Sequence, residues 1–143
     1  MRVGTITQLW RYPVKSMGGE RLQAATLSVR GIPGDRGWAV YDETRAGITT
    51  AKRVPALRHC MARYLTEPVA GEAPPSAEIA FADGRRAASE TPEAARRLSE
   101  AAGRSLSLRA LGPGGTEAEP RVSSSGDSPE QIRALMGILP GQT

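Results

Sequence analysis

Residues 12–20 read Tyr-Pro-Val-Lys-Ser-Met-Gly-Gly-Glu, and residues 34–38 read Gly-Asp-Arg-Gly-Trp. Each stretch contains a turn next to an apolar run with β-branched and aromatic residues, so each is predicted to connect strands. The turns carry lysine, serine and arginine, whose side chains donate hydrogen bonds to the oxygens of small anions. We interpret the two turns as one binding feature around which the rest of the chain is organised.

The candidate anion-binding residues are Lys15, Ser16 and Arg36. Lys15 offers a mobile charge with three donors, Ser16 offers a hydroxyl and a backbone amide, and Arg36 offers a planar fork suited to a phosphate. The spacing alone also allows Lys15 and Arg36 to be solvated turn residues, with Asp35 as a salt-bridge or capping partner. Residues 31–37 are glycine-rich but are not a P-loop, because no Gly-Lys-Ser/Thr opens a helix.

Outward from these turns, the hydrophobic pattern predicts short strands separated by turn signals, and one internal helix. Thr91 as N-cap, a proline at the first helical position and Gly103 predict a helix over residues 92–102. The predicted fold is mainly β (α+β), a small antiparallel β-barrel with this inserted helix and a C-terminal helix. The strands are predicted at residues 2–12, 22–30, 38–41, 48–51, 60–66, 77–81 and 105–110.

The composition changes after residue 111. Residues 112–127 are rich in Gly, Pro, Glu and Ser, which predicts a linker or mobile loop. A capping box at Ser128 and an apolar stripe then predict a helix over residues 128–143. We therefore expect a β domain at residues 1–111, and the abrupt end suggests that a further domain ought to follow.

Charge and length limit the classes of function. The 143 residues carry a net charge of +4, but their basic residues are interspersed with 15 acidic ones, so a nucleic-acid partner is not predicted. No apolar run is long enough for a transmembrane helix, and the first residues lack a signal peptide's apolar block. The sequence therefore predicts a cytoplasmic protein that does not associate with a membrane.

Cys60 is the only cysteine and His59 the only histidine, so neither a disulfide framework nor a thiolate metal cluster is predicted. Neighbouring residues on a strand point to opposite faces, which separates the thiol from the imidazole. We interpret the pair as a buried, inert thiol beside a surface histidine. The sequence thus predicts no catalytic residue and no metal ligand.

Three segments together resemble the N-terminal β-barrel domain of MOSC proteins, the family related to the C-terminal domain of molybdenum cofactor sulfurase. They are residues 9–20, residues 31–38, and residues 50–57, which read Thr-Ala-Lys-Arg-Val-Pro-Ala-Leu. Amidoxime-reducing components and their bacterial relatives belong to this family. The resemblance covers residues 2–66 well and continues more loosely through the predicted helix at 92–102.

The resemblance implies a role for the candidate anion-binding residues. In the family, the Lys-Ser of the first motif and the Arg of the second contact the phosphate of molybdopterin, and these positions are Lys15, Ser16 and Arg36 here. The molybdenum cofactor is expected to bind only together with a MOSC core, supplied in cis or in trans. The cysteine that ligates molybdenum in the family lies in that core, and Cys60 does not match it. An electron-transfer protein is a further partner that the resemblance allows.

Three functional interpretations follow. The first is the cofactor-binding N-terminal part, as a fragment or a stand-alone half, of a reductase that acts on N-hydroxylated or related small molecules. The second is part of a sulfur carrier or sulfurtransferase. The third is a non-catalytic interaction barrel. In each case this chain alone is not expected to be catalytic, and the predicted helix at 128–143 would lead towards the MOSC core.

Overall fold

The computed structural model describes residues 3–111, in which short strands alternate with tight turns. The linker predicted at 112–127 and the helix predicted at 128–143 lie outside the described residues. The described part is mainly β with one α-helix. Its elements are β1 Leu9–Arg11, β2 Glu20–Leu22, β3 Trp38–Asp42, β4 Gly47–Ile48, a 3-10 helix Pro55–His59, β5 Met61–Tyr64, β6 Ala77–Ala80, β7 Arg86–Ala88, α1 Pro92–Ala102 and β8 Leu106–Ala110.

The strands form three small antiparallel sheets, with the orders β1-β2, β4-β3-β8 and β5-β6-β7. β3 lies between two partners, and all five of its residues are buried. In β5, exposed Met61 and Arg63 alternate with buried Ala62 and Tyr64, which is the pattern of a strand with one face on the core. The central strand β3 is therefore buried on both faces, whereas the edge strand β5 is buried on one face only.

The segment at residues 14–18 connects the sheets through two isolated parallel bridges. Val14 pairs with Trp38 at the start of β3, and Gly18 pairs with Met61 at the start of β5. The three sheets are not closed into the predicted barrel, since within residues 3–111 no hydrogen-bonded ladder joins β7 to β8. Instead, α1 packs against both of these outer strands.

The hydrophobic core contains large side chains from several different elements of the fold. The most deeply buried apolar side chains are Val14, Val40, Leu57, Ile79 and Leu98. They come from the connecting segment, β3, the 3-10 helix, β6 and α1. The core therefore holds the connecting segment, on which the predicted lysine turn lies, against the sheets.

The helix α1 has the predicted bounds because its end signals are local. The hydroxyl of Thr91 accepts a hydrogen bond from the backbone N–H of Ala94 at 3.4 Å, and Pro92 occupies the first turn. Gly103 ends the helix in the left-handed conformation at φ 65°. The prediction for residues 92–102 is confirmed.

The strand predicted over residues 22–30 is wrong for most of its length. β2 covers Glu20–Leu22, and the chain then runs without regular structure, leaving Leu27 and Val29 exposed. Among residues 3–111, no strand pairs with this run and no core covers these two side chains. The strand predicted over residues 2–12 shortens to β1 for the same reason, since Val3 and Ile6 are also exposed.

Two elements lie where the sequence predicted none. Pro55–His59 forms a 3-10 helix that buries Leu57, and Arg86–Ala88 forms β7, which pairs with β6.

Within residues 3–111 no helix has the length and apolar character needed to cross a bilayer.

Candidate anion-binding site

The two predicted turns lie side by side because their backbones are hydrogen-bonded to each other. The N–H of Arg36 donates to the carbonyl of Tyr12, and the N–H of Trp38 donates to the carbonyl of Pro13 at 2.9 Å. The N–H of Lys15 in turn donates to the carbonyl of Trp38 at 2.9 Å. The two segments are therefore one structural unit in the folded chain.

Two of the three candidate residues have a left-handed backbone. Ser16 has a φ of 75° and Arg36 a φ of 53°. Within residues 3–111 one other non-glycine residue, Ala46, has a positive φ, and it lies in the loop of the β3–β4 hairpin, where such conformations are common. The left-handed conformation costs a residue with a side chain about 1 kcal/mol or more, and it is found preferentially at functional sites.

The side chains of the candidate residues differ in the hydrogen-bond and ion-pair partners that they already have. The guanidinium of Arg36 is 59% exposed and pairs with the Oδ2 of Asp35. It also lies 5.8 Å from the centre of the Tyr12 ring. Lys15 and Ser16 are half-buried, and neither side chain has a hydrogen-bond or ion-pair partner among the described residues. An anion would therefore find a free lysine and serine, and an arginine that shares its charge with Asp35.

Asp35 has both of the roles that the spacing allowed. Its Oδ1 accepts the backbone N–H of Tyr12 at 2.9 Å, while its Oδ2 pairs with Arg36. The carboxylate thus fastens the arginine turn to the strand that precedes the lysine turn. It also orients the guanidinium, because the two charged groups are adjacent in the chain.

A buried ion pair lies directly before the lysine turn. Arg11 is only 2% exposed, and its guanidinium bonds Glu20 at 3.0 Å and Glu67 at 2.9 Å. The same guanidinium lies 5.2 Å from the centre of the Tyr64 ring. Burial lowers the pKa of Arg11, but the bonds to Glu67 and Glu20 outweigh this and raise its pKa overall.

Tyr64 connects this ion pair to the arginine turn. Its backbone N–H donates to the Oε2 of Glu20 at 2.7 Å, and its hydroxyl donates to the carbonyl of Gly34 at 2.6 Å. Gly34 has a φ of 84°, and Pro68 and the Tyr64 ring leave no room there for a Cβ. The conformation of the Asp35–Arg36 turn is therefore fixed by buried groups behind it.

We expect the replacement Tyr64→Phe to reduce the loss of stability at alkaline pH. Burial raises the pKa of Tyr64 to about 12. An unfolded tyrosine ionises near pH 10, so between about pH 10 and 12 the unfolded state releases a proton that the folded state retains. The stability that this group contributes is fully present below pH 10 and falls as pH rises, by about 2.7 kcal/mol in total once the pH exceeds 12.

Urea unfolding at pH 9, 10, 11 and 11.5 measures this difference. The wild-type free energy of unfolding should fall more steeply with pH than that of the Tyr64→Phe variant. Parallel curves for wild type and Tyr64→Phe would contradict the assignment.

The model of the MOSC N-terminal beta barrel domain matches residues 3–107 of the chain. The chain belongs to this family. No curated protein and no solved structure matches the chain. The match confirms the family that the three sequence segments indicated, and it runs from the first described residue into β8 of this MOSC N-terminal domain.

Sequence reasoning missed the buried residues that support the two turns of the MOSC N-terminal domain. Arg11, Glu20 and Tyr64 were not singled out, although an arginine inside an apolar strand already signals a buried charge that needs a carboxylate. The β1–β2 register supplies that carboxylate, because it places Arg11 opposite Glu20. No feature of the sequence marks the hydrogen bond from Tyr64 to Gly34, since 30 residues separate them.

The sequence also drew attention to Cys60 and His59 of this MOSC N-terminal domain as candidates for nucleophilic or metal chemistry. Cys60 is buried, and burial raises the pKa of its thiol, while His59 is exposed at the end of the 3-10 helix. A raised thiol pKa disfavours the reactive thiolate. Within residues 3–111 no three His, Cys, Asp or Glu side chains come together in a way that could hold a metal ion.

Proposed function

We propose that this MOSC N-terminal domain grips the phosphate of the molybdenum cofactor through Lys15, Ser16 and Arg36, as the N-terminal part of a MOSC-type molybdenum protein. The observation that carries the proposal is the hydrogen-bonded pairing of the two turns. It holds the segment that carries Lys15 and Ser16 beside the segment that carries Arg36. The left-handed backbones of Ser16 and Arg36 support the same conclusion.

The residues fit a phosphate group in their chemistry. Lys15 brings a charge with no carboxylate partner among the described residues, and Ser16 adds a hydroxyl with no other bond there. Arg36 is exposed enough to reach an anion while Asp35 holds one of its nitrogens. When bound to the whole protein, the molybdenum of the cofactor supplies the redox chemistry. The described residues bind and orient the phosphate.

The proposal also includes the reaction of the complete protein and its partners. A MOSC core, in cis or in trans, would complete the cofactor site, and the complete cytoplasmic protein would reduce N-hydroxylated or related small molecules. An electron-transfer protein would supply the electrons. The support for this part is family membership.

The double change Lys15→Ala and Arg36→Ala tests the grip in the protein together with its MOSC core. Each lost charge-assisted bond weakens binding by roughly 1.5–3 kcal/mol, so the two together should lower cofactor affinity by about a hundredfold or more. Molybdenum content by mass spectrometry and pterin content by fluorescence, both after purification, measure the loss. The far-UV circular dichroism spectrum should not change.

The matched control is Arg21→Ala with Arg45→Ala. Both arginines are exposed, lie outside the two paired turns and have no ion-pair partner among residues 3–111, so this variant also removes two positive charges. It should retain its cofactor. Wild-type cofactor content in the Lys15/Arg36 variant would refute the grip, whatever the parent's reaction is.

A further inference from the structure

A second cavity lies away from the paired turns and shares no residue with them. It has a volume of about 440 Å³, is open to solvent on one side, and is bordered by the 3-10 helix, the last turns of α1 and the turn between β6 and β7. Its volume is within the range of roughly 300–1,000 Å³ that small-molecule sites occupy. Much of its wall is apolar, with Ala56, Cys60, Phe81, Ala82 and Ala101 contributing.

The charged residues that line this cavity all have opposite charges beside them. Two pairs are formed within α1 and one within the turn between β6 and β7, so the cavity and these partners together carry no net charge that would require a charged ligand. The pairs are Arg97 with Glu93 at 2.6 Å, Glu100 with Arg96 at 3.0 Å, and Asp83 with Arg85 at 3.8 Å. A charged ligand would have to compete with these existing partners.

Two polar groups that line the cavity have no hydrogen-bond partner among the described residues. They are the imidazole of His59 and the buried Nε of Arg97. The thiol of Cys60 is directed to the carbonyl of Ala56 at 3.9 Å and is buried. A neutral imidazole both donates and accepts, so it suits a single hydroxyl on an otherwise apolar ligand.

We propose that this cavity binds a small uncharged ring compound with one hydroxyl group, of the phenol class. The ring would lie against Phe81 and the alanines, where burial of apolar surface provides the affinity. The hydroxyl would bond the imidazole of His59. Internal pairing of Asp83, Arg97 and Glu100 disfavours carboxylate and ammonium ligands.

Ligand-observed NMR on the full 143-residue chain tests the chemical class, with phenol, benzoate and benzylamine as the three probes. Phenol should give saturation transfer and a measurable dissociation constant. The two charged analogues should bind at least about tenfold more weakly. Absence of phenol binding, or equal binding of all three probes, overturns the proposal.

Three substitutions locate the binding. Ala101→Trp fills the cavity from an exposed helix position and should abolish phenol binding, while Ala24→Trp, at an exposed position that does not line the cavity, should not. His59→Ala should weaken phenol binding about fivefold, the contribution of one neutral hydrogen bond, and leave toluene binding unchanged. Phenol binding that survives Ala101→Trp in a chain with wild-type circular dichroism overturns the assignment. Because the cavity contains none of Lys15, Ser16 and Arg36, either proposal can fail alone.

Discussion

Replacing Glu20 with alanine is expected to lower the free energy of unfolding by about 3–5 kcal/mol, the usual loss when a buried ion pair is broken on one side. Arg11 would remain in the core at 2% exposure with its charge only partly compensated. The backbone N–H of Tyr64 would also lose its acceptor, which now lies 2.7 Å away. Both consequences arise from a single carboxylate.

Glu67 provides the matched control because it bonds the same guanidinium from the surface. Its side chain is 77% exposed, so water screens its charge and replaces its bonds. Glu67→Ala should cost less than about 1 kcal/mol. Urea denaturation at pH 7 measures both variants. Similar losses from the two would show that burial does not determine the strength of this ion pair.

Replacing Gly19 with alanine is expected to lower the free energy of unfolding by roughly 2–3 kcal/mol through overpacking. An ideal Cβ at Gly19 would lie 2.4 Å from the carbonyl oxygen of Arg11 and 2.8 Å from a ring carbon of Tyr12. A backbone oxygen within β1 cannot move aside without changing the β1–β2 pairing. The clash would therefore disturb the chain at the point where the lysine turn begins.

Gly47→Ala is the matched control for this change. A Cβ there would meet no heavy atom within 4 Å, and neither glycine has a positive φ. Gly47→Ala should alter stability by no more than about 0.5 kcal/mol. Thermal unfolding followed by circular dichroism compares the two. An unchanged melting temperature for Gly19→Ala would mean that the strand and turn can shift to admit a methyl group.

Features with local causes were predictable from the sequence. α1 has the predicted bounds because Thr91, Pro92 and Gly103 each act within one turn of the helix. β3 was predicted at residues 38–41, close to its observed bounds of Trp38–Asp42, because its apolar run is buried between two neighbours. Lys15, Ser16 and Arg36 were likewise selected by their own chemistry and by family motifs.

Features that depend on distant partners could not be predicted. Residues 22–30 alternate like a strand, yet Leu27 and Val29 are exposed because no element in the described part of the chain packs on them. The left-handed residue of the lysine turn is Ser16, and neither Gly18 nor Gly19 has a positive φ. Gly19 is needed for space against Arg11, which only the β1–β2 pairing creates.

The hydrogen bond from Tyr64 to Gly34 has a consequence for the entropy of binding. The backbone N–H groups of Asp35, Arg36 and Gly37 are all hydrogen-bonded within the protein, and the buried tyrosine holds the carbonyl at the start of their turn. Their amide protons should therefore exchange with solvent slowly, close to the rate set by global unfolding. An anion would meet a turn that is already ordered, so little conformational entropy would be lost when it binds.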